Sequence, residues 1–372
     1  MTLLTDYYKG NLRWLSDRTI LLVRAGSRAY GMATPESDLD LRGVAIPPKE
    51  YFLGFLNTFE QMESQDPDLV VYDIRKFFRL AADCNPSILD MLFTNAEDQL
   101  LVTPAGQSLI DHRHDFLSKN AFHRFTGYAF GQLKRINVHR RYLLHPIAAA
   151  PTRSEYGLPE GEALISREQV GAFYVTLAHQ LRDIAELAEL REEVVRIITS
   201  DRFPGWEGIV QSSGVVDEAL PQIKKLMRTS DNFIATLQAE QAYYRRVDEW
   251  SKYCNWLKNR NPTRAELEKK WGVDVKHVSH LVRLLQTGEE ILRTGTFTTR
   301  RTNAQQLRAI REGVWLDGTP ITYEKVVAFA EQKQAELKAF ANSQDCTLPK
   351  EPDRKMLDEL CIELVHSVGG SL

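Results

Sequence analysis

Residues 24–44 read RAGSRAYGMATPESDLDLRGV, and the reading of this stretch decides the fold of the N-terminal third of the chain. It is entered through TILLVRAG (19–26), a short apolar run rich in branched residues and closed by Gly26, which is the pattern of a buried strand. Beyond the loop, DLDLRGVAI alternates, so Asp38, Asp40 and Arg42 share one face of a second strand while Leu39 and Leu41 share the other. Two aspartates on adjacent outward positions repel unless a cation screens them, and oxygen ligands on a rigid strand suit Mg²⁺ or Mn²⁺. Gly26-Ser27 can turn the chain tightly and offer a backbone N–H and a hydroxyl to a phosphate. Strand, Gly-Ser turn and paired acids together point to metal-assisted phosphoryl or nucleotidyl transfer.

Further along, TFEQME (58–63) and DLVVY (68–72) predict two more strands around the turn-like SQDPD. DIRKFFRLAADCNP (73–86) predicts a helix capped by Asp73 and ended by Asn85-Pro86. After about residue 116 strand signals give way to helical periodicity, notably over 121–144, 167–190 and 222–258. Loops are expected at 151–162, 200–214 and 343–354. The fold class is therefore α+β: an α/β catalytic domain with a mixed sheet over 1–116, a helical domain with an unplaced insertion over 117–250, and a basic helical domain over 251–372 that completes the cleft.

The chain has 372 residues, 43% hydrophobic and 26% charged, as in an ordinary globular protein of more than one domain. The N-terminal residues contain no apolar run of signal length, and a cytoplasmic protein without membrane attachment is expected. Cys84, Cys254, Cys346 and Cys361 form no CxxC pair, which argues against a zinc site and a disulfide framework. The net charge of −3 hides an asymmetry, because residues 252–312 carry thirteen Lys or Arg against six Asp or Glu. That segment is a candidate anion-binding surface. Within it Asp274 and Gly295 punctuate a helix whose Val278, Leu281, Val282, Leu285 and Leu292 share one face. Lys276, His280, Arg283 and Thr287 share the opposite face, a stripe able to present several donors to one anion.

GSRAYGMATPESDLDLRGV resembles the Gly-Ser and Asp-x-Asp signature of the DNA-polymerase-β superfamily of nucleotidyltransferases. Residues 73–93, 127–135, 256–292 and 307–315 extend the similarity to the RNA-ligase-associated polymerase-β-type family of phages and bacteria. The resemblance implies transfer of a nucleoside monophosphate in RNA end repair, with a nucleoside triphosphate as substrate, RNA as acceptor and an RNA ligase as possible partner. It assigns phosphate binding to Gly26 and Ser27 and two metal ions to Asp38, Asp40 and a third acid. Asp68 is preferred for that acid because Asp73 is better spent as a helix cap, with Glu60 and Glu63 as further candidates. Lys76, Lys276, His280 and Arg283 would supply positive charge to the triphosphate or the RNA. Arg28 and Tyr30 complete the nucleotide-binding set, Tyr30 either stacking on a base or closing the loop.

ATP, CTP, GTP and UTP all remain open as donors. Transfer to a protein hydroxyl or a small molecule, and a non-catalytic nucleotide- or RNA-binding partner of an RNA ligase, are the competing readings. Weaker expectations attach to His112 and His114 as a metal pair, Tyr128 and Gln132 facing the cleft with core packing the favoured account for the tyrosine, Arg300 and Arg301 on phosphate or in an exposed turn, and Trp256, Trp271 and Trp315 in the core.

Overall fold

The run of branched residues from Thr19 to Val23 is almost fully buried, and it forms a central strand of a five-stranded sheet. The computed structural model describes residues 12–35, 37–173 and 230–369. Helix α1 (Leu15–Arg18) leads into β1 (Thr19–Arg24), the single turn α2 (Gly26–Ala29), β2 (Asp40–Ala45), the turn α3 (Glu50–Leu53), β3 (Gln61–Gln65), β4 (Asp68–Asp73), α4 (Ile74–Ala82), α5 (Pro86–Leu92), β5 (Gln99–Val102), α6 (Pro104–Asp111) and α7 (Asn120–Leu144). The sheet order is β3-β4-β2-β1-β5. Strands β2 and β4 run parallel and the other neighbours antiparallel.

Strand alternation sorts the two faces of the sheet. Leu22, Leu41, Ala45, Leu69 and Val71 pack with Leu15 and Phe59 on one face. Val23, Val44 and Ile46 join the main core with α4 to α7 on the other. Asp40, Arg42, Asp68 and Val70 lie in register with this second face, so the acids project toward the helices. Asp73 caps α4, accepting from the N–H groups of Arg75 and Lys76, and Asn85 caps α5 rather than merely ending the preceding helix.

The contacts divide the chain into residues 1–144 with 262–372, and residues 145–261. Helix α7 carries one apolar face straight on from the sheet's core and buries it against a late helix. The first unit also holds α9 (Pro262–Trp271), α10 (Val275–Thr294), α11 (Ala304–Arg311), α12 (Tyr323–Ala341) and α13 (Arg354–Gly369), with α8 (Asp231–Lys258) belonging to the second. Gly288 of α10 lies so close to α7 that a Cβ there would come within 2.9 Å of Phe125 Cβ. In the second unit the Arg153 guanidinium makes a buried two-point pair with Glu240, at 3.0 and 2.6 Å. The helical period expected over 167–190 extends past the described residues, and the loop expected at 200–214 lies outside them. Among the described residues no helix is long and apolar enough to cross a membrane.

Helix α10 departs from the amphipathic reading. Its Val278, Leu281, Val282, Leu285 and Leu292 are buried as expected, but Arg283 and Thr287 on the opposite side are buried too. The helix is enclosed: Ser279 Oγ donates to the Leu307 carbonyl of α11, and Arg283 faces Tyr30 and Asp90. A polar stripe that meets other polar side chains need not face water.

Candidate active site

The site is built where β1 ends and β2 begins. Gly26 takes φ = +59°, a conformation that costs an L-residue roughly 1–2 kcal/mol. A Cβ at this position would also overlap the Asp40 carboxylate, so only glycine lets the turn of α2 sit against that acid. Gly26→Ala should therefore displace Asp40 as well as strain the turn, lowering the thermal midpoint by several degrees; an unchanged midpoint would refute the close approach. The first-turn N–H groups of so short a helix have no partner within it. Arg28 closes the loop that follows, donating to the carbonyls of Ser37 at 2.8 Å and Asp38 at 3.3 Å.

The parallel register sets Asp40 beside Asp68. Burial first, and then the charge and hydrogen bonding of Asp68, push the Asp40 carboxyl above its ordinary range, while Arg42 and Lys276 oppose the shift. Arg42 lies 3.0 Å from Asp68 Oδ1 and shares the face with Asp40. Asp38 is exposed two residues earlier, at the end of the loop. The three aspartates form a more open set than a closed metal cage: among the described residues only His139, Asp274 and His277 bring their ligand atoms all within 4.8 Å of one another.

The other residues singled out from the sequence divide clearly. Lys276 is exposed at the start of α10, where its charge acts on Asp40. His280 is neutral rather than cationic, because burial, with Arg283, Arg311 and Lys276 nearby, holds its pKa well below the usual value. Arg283 is spent inside the protein: its guanidinium lies 3.9 Å from the Tyr30 ring centroid and 3.4 Å from Asp90 Oδ2. Tyr30 is buried and donates to Asp90 Oδ2 at 2.6 Å, so it closes the loop rather than offering a stacking face.

Lys76 pairs with Glu60 at 2.9 Å beside Asp73. That is the far end of β4 from Asp68, about 16 Å away at ~3.3 Å per residue. The same distance removes Asp73 and Glu60 from the acid site. Lys76→Ala should leave catalysis within about twofold of the parent, since a screened charge so distant is worth little; a tenfold loss in kcat/KM would place the site at the wrong end of the sheet.

His112 and His114 diverge, the first to the Ser108 carbonyl and the second to Thr296. Tyr128 is exposed and bonded to Asn85 instead of lying in the core. Trp315 is buried, whereas Trp256 and Trp271 are half-buried. Arg301 is buried with Glu290 at 2.6 Å. Arg300, paired with Glu97 and Asp98, lines an open groove of about 730 Å³ together with Arg24 and Arg28.

Two contributors escaped the sequence reading. Arg42 was visible on the acid face but had no assigned partner, and Asp90 was a lone acid in the apolar helix PSILDML. Asp90 borders a smaller cavity of about 150 Å³ that Gly26, Asp40, Arg42 and Thr299 also line.

A mixed sheet whose first strand turns at Gly-Ser toward the paired acids, with Asp40 beside a third acid on a parallel neighbour, agrees with the polymerase-β-type nucleotidyltransferase fold that the sequence resembles. Residues 12–146 match the model of the RlaP family, the RNA repair pathway DNA polymerase beta family. Over 136 residues the chain is 34% identical to an uncharacterized 38.9 kDa protein of the nrdC-mobD intergenic region of Enterobacteria phage T4, covering 32% of this chain and 39% of that protein. Over 155 residues it is 28% identical to the uncharacterized protein YcgL of Bacillus subtilis (strain 168), covering 38% of this chain and 58% of that protein. The chain thus spans less than three fifths of either curated relative. No solved structure matches.

Proposed function

We propose that this protein transfers a nucleoside monophosphate from a nucleoside triphosphate to an RNA end. The observation that carries the reading is the pairing of Asp40 with Asp68 across parallel strands, directly against the Gly26 turn. A carboxyl held above its ordinary pKa by burial and then by a second carboxyl is a site that gains from a divalent cation. The donor set fits Mg²⁺ or Mn²⁺, all oxygen and open on the side of Asp38. Bound there, such ions supply charge stabilisation of the transferring phosphoryl group and acidify the attacking hydroxyl.

In this reading Asp38, Asp40 and Asp68 hold the ions. Arg42 keeps Asp68 turned toward Asp40. Ser27 and the N–H groups of the α2 turn bind the terminal phosphates, and Lys276 adds positive charge on the helical side. The groove of Arg24, Arg28 and Arg300 lies beside the same loop, and in this reading a polyanionic acceptor would compete there with Asp98, which lines the groove and pairs with Arg24 and Arg300.

The test is incubation with each α-labelled ribonucleoside triphosphate, Mg²⁺ or Mn²⁺, and a mixed small-RNA pool. Label on RNA, with binding that weakens as salt rises and a smaller salt slope in Arg300→Gln, supports the reading. Label on protein alone would move the acceptor to a polypeptide hydroxyl, and no transfer under either metal would leave only nucleotide or RNA binding.

A further inference from the structure

Arg42 grips Asp68 at two points. Its Nη1 lies 3.0 Å from Oδ1, and its Nη2 donates to Oδ2 at 3.1 Å. Nη1 also donates to the carbonyls of Leu41 and Asp68, at 2.7 and 2.9 Å. Among the described residues Nη2 has no acceptor other than that carboxylate oxygen. The same side chain borders the cavity of about 150 Å³ that the Gly26 turn, Arg24 and Asp40 also line.

We propose that Arg42 is a phosphate-binding residue for the donor nucleotide, held in reserve by Asp68 and handed to the phosphate when a divalent ion takes that carboxylate. The exchange rests on the assignment of Asp68 as a metal ligand.

Competition for Asp68 is the first ground. Both carboxylate oxygens face the guanidinium, so an arriving dication meets a cation already seated on its ligand. The grip is one that an ion can loosen. The Asp68 side chain is 49% exposed and that of Arg42 21%, and ion pairs open to water are weak. Strand register keeps Asp68 beside Asp40 whichever cation it faces.

What stays behind is the second ground. When the carboxylate turns to the ion, the two carbonyls still hold Nη1, so the guanidinium keeps its place and Nη2 is left as a donor without an acceptor. An anion entering the cavity satisfies it. Gly26, one of the two residues assigned to the terminal phosphates, lies on that cavity. Residue type agrees with this division of labour. A planar guanidinium can leave one amino group on the carbonyls and point the other at a phosphate, whereas the ammonium of lysine is a single point charge. Ion and donor therefore bind as a pair, because the ion deprives Arg42 of its partner and the phosphate supplies another.

Binding of Mn²⁺ alone, followed by the electron paramagnetic resonance of the free ion, should be compared in the parent, Arg42→Lys and Arg42→Gln. Binding of each nucleoside triphosphate in excess Mg²⁺, without acceptor RNA, should be followed by calorimetry in the same three proteins. Arg42→Gln should bind Mn²⁺ alone about tenfold more tightly than the parent, because a positive charge has left the site, and Arg42→Lys a few-fold more tightly, because the two-point grip is gone. Both should bind the nucleotide in Mg²⁺ at least about tenfold more weakly. Opposite signs in one variant do not come from misfolding, which weakens both. A crystal structure of the parent with Mn²⁺ and a non-transferable nucleotide analogue reads the exchange without any substitution, with Asp68 on the ion and Arg42 Nη2 on a phosphate. Weaker Mn²⁺ binding in the variants, unchanged nucleotide affinity, or Asp68 still paired with Arg42 in that crystal would overturn the inference and leave the transfer reading standing. A parent that binds neither ion nor nucleotide would overturn both.

Discussion

Asp40→Asn should abolish nucleotidyl transfer while leaving the protein at least as stable as its parent. In the proposed function Asp40 is a metal ligand, and its loss removes several kcal/mol of charge stabilisation from the transition state, or at least about a thousandfold in kcat. Stability moves the other way. Asp40 is half-buried and adjoins Asp68, so burial and like-charge repulsion both disfavour its ionised form in the folded protein. Asparagine keeps the shape and removes the charge. Its thermal midpoint without metal should equal or exceed that of the parent, and the stabilisation that the parent gains from Mg²⁺ should shrink. An acid kept at a cost to the fold is the mark of a functional group. Paired transfer assays and melting curves with and without Mg²⁺ check both halves. A variant that keeps transfer within tenfold would remove Asp40 from the chemistry, whereas one that loses transfer and melts well below the parent would make Asp40 a structural residue.

The parts of this site legible in the sequence are those set by local geometry. Period-two alternation is enough to put Asp40 and Arg42 on one face, although Asp38, expected on the same strand, lies in the loop before it, and a Gly-Ser after an apolar run is enough to mark the turn. Asp73 could be read as a cap because it stands directly before a run with helical spacing, and the structure shows it capping α4. Asp68 was less accessible, since its nearness to Asp40 depends on a parallel register that joins strands through a crossover. Stripe readings on α10 failed for a physical reason: helical periodicity tells which residues share a face, but not what covers it. Here the polar face meets Tyr30 and Asp90, so Arg283 and Thr287 are interior residues and His280 is a neutral one. His139 and His277 are 138 positions apart, and only the packing of α7 on α10 brings them together.

Asp90→Ala should be among the most destabilising single changes in the protein. The Asp90 side chain lies in a helix that is otherwise apolar, 10% exposed, with Oδ2 accepting from Tyr30 and lying 3.4 Å from an Arg283 side chain that is itself 7% exposed. Removing the acid strands a buried guanidinium over the Tyr30 ring and leaves the phenol without its acceptor. Breaking a buried pair in this way costs about 3–5 kcal/mol, because the remaining charge has lost both water and partner. Asp90→Asn keeps an acceptor for Tyr30 and should cost less than half as much. The pH dependence is a separate test. Burial raises the Asp90 carboxyl above its ordinary value despite the pull of Arg283 and the Tyr30 hydrogen bond. The folded protein therefore holds this proton more tightly than the unfolded chain. The contribution of Asp90 to stability is greatest below the unfolded value near 3.8 and declines as pH rises through the folded one. In the asparagine variant that part of the slope should vanish. Urea unfolding of both variants across the acid range measures the two effects together. An Asp90→Ala loss below about 1 kcal/mol would show that Arg283 finds water or another acceptor without Asp90, and that the contact between α5 and α10 does not depend on this pair.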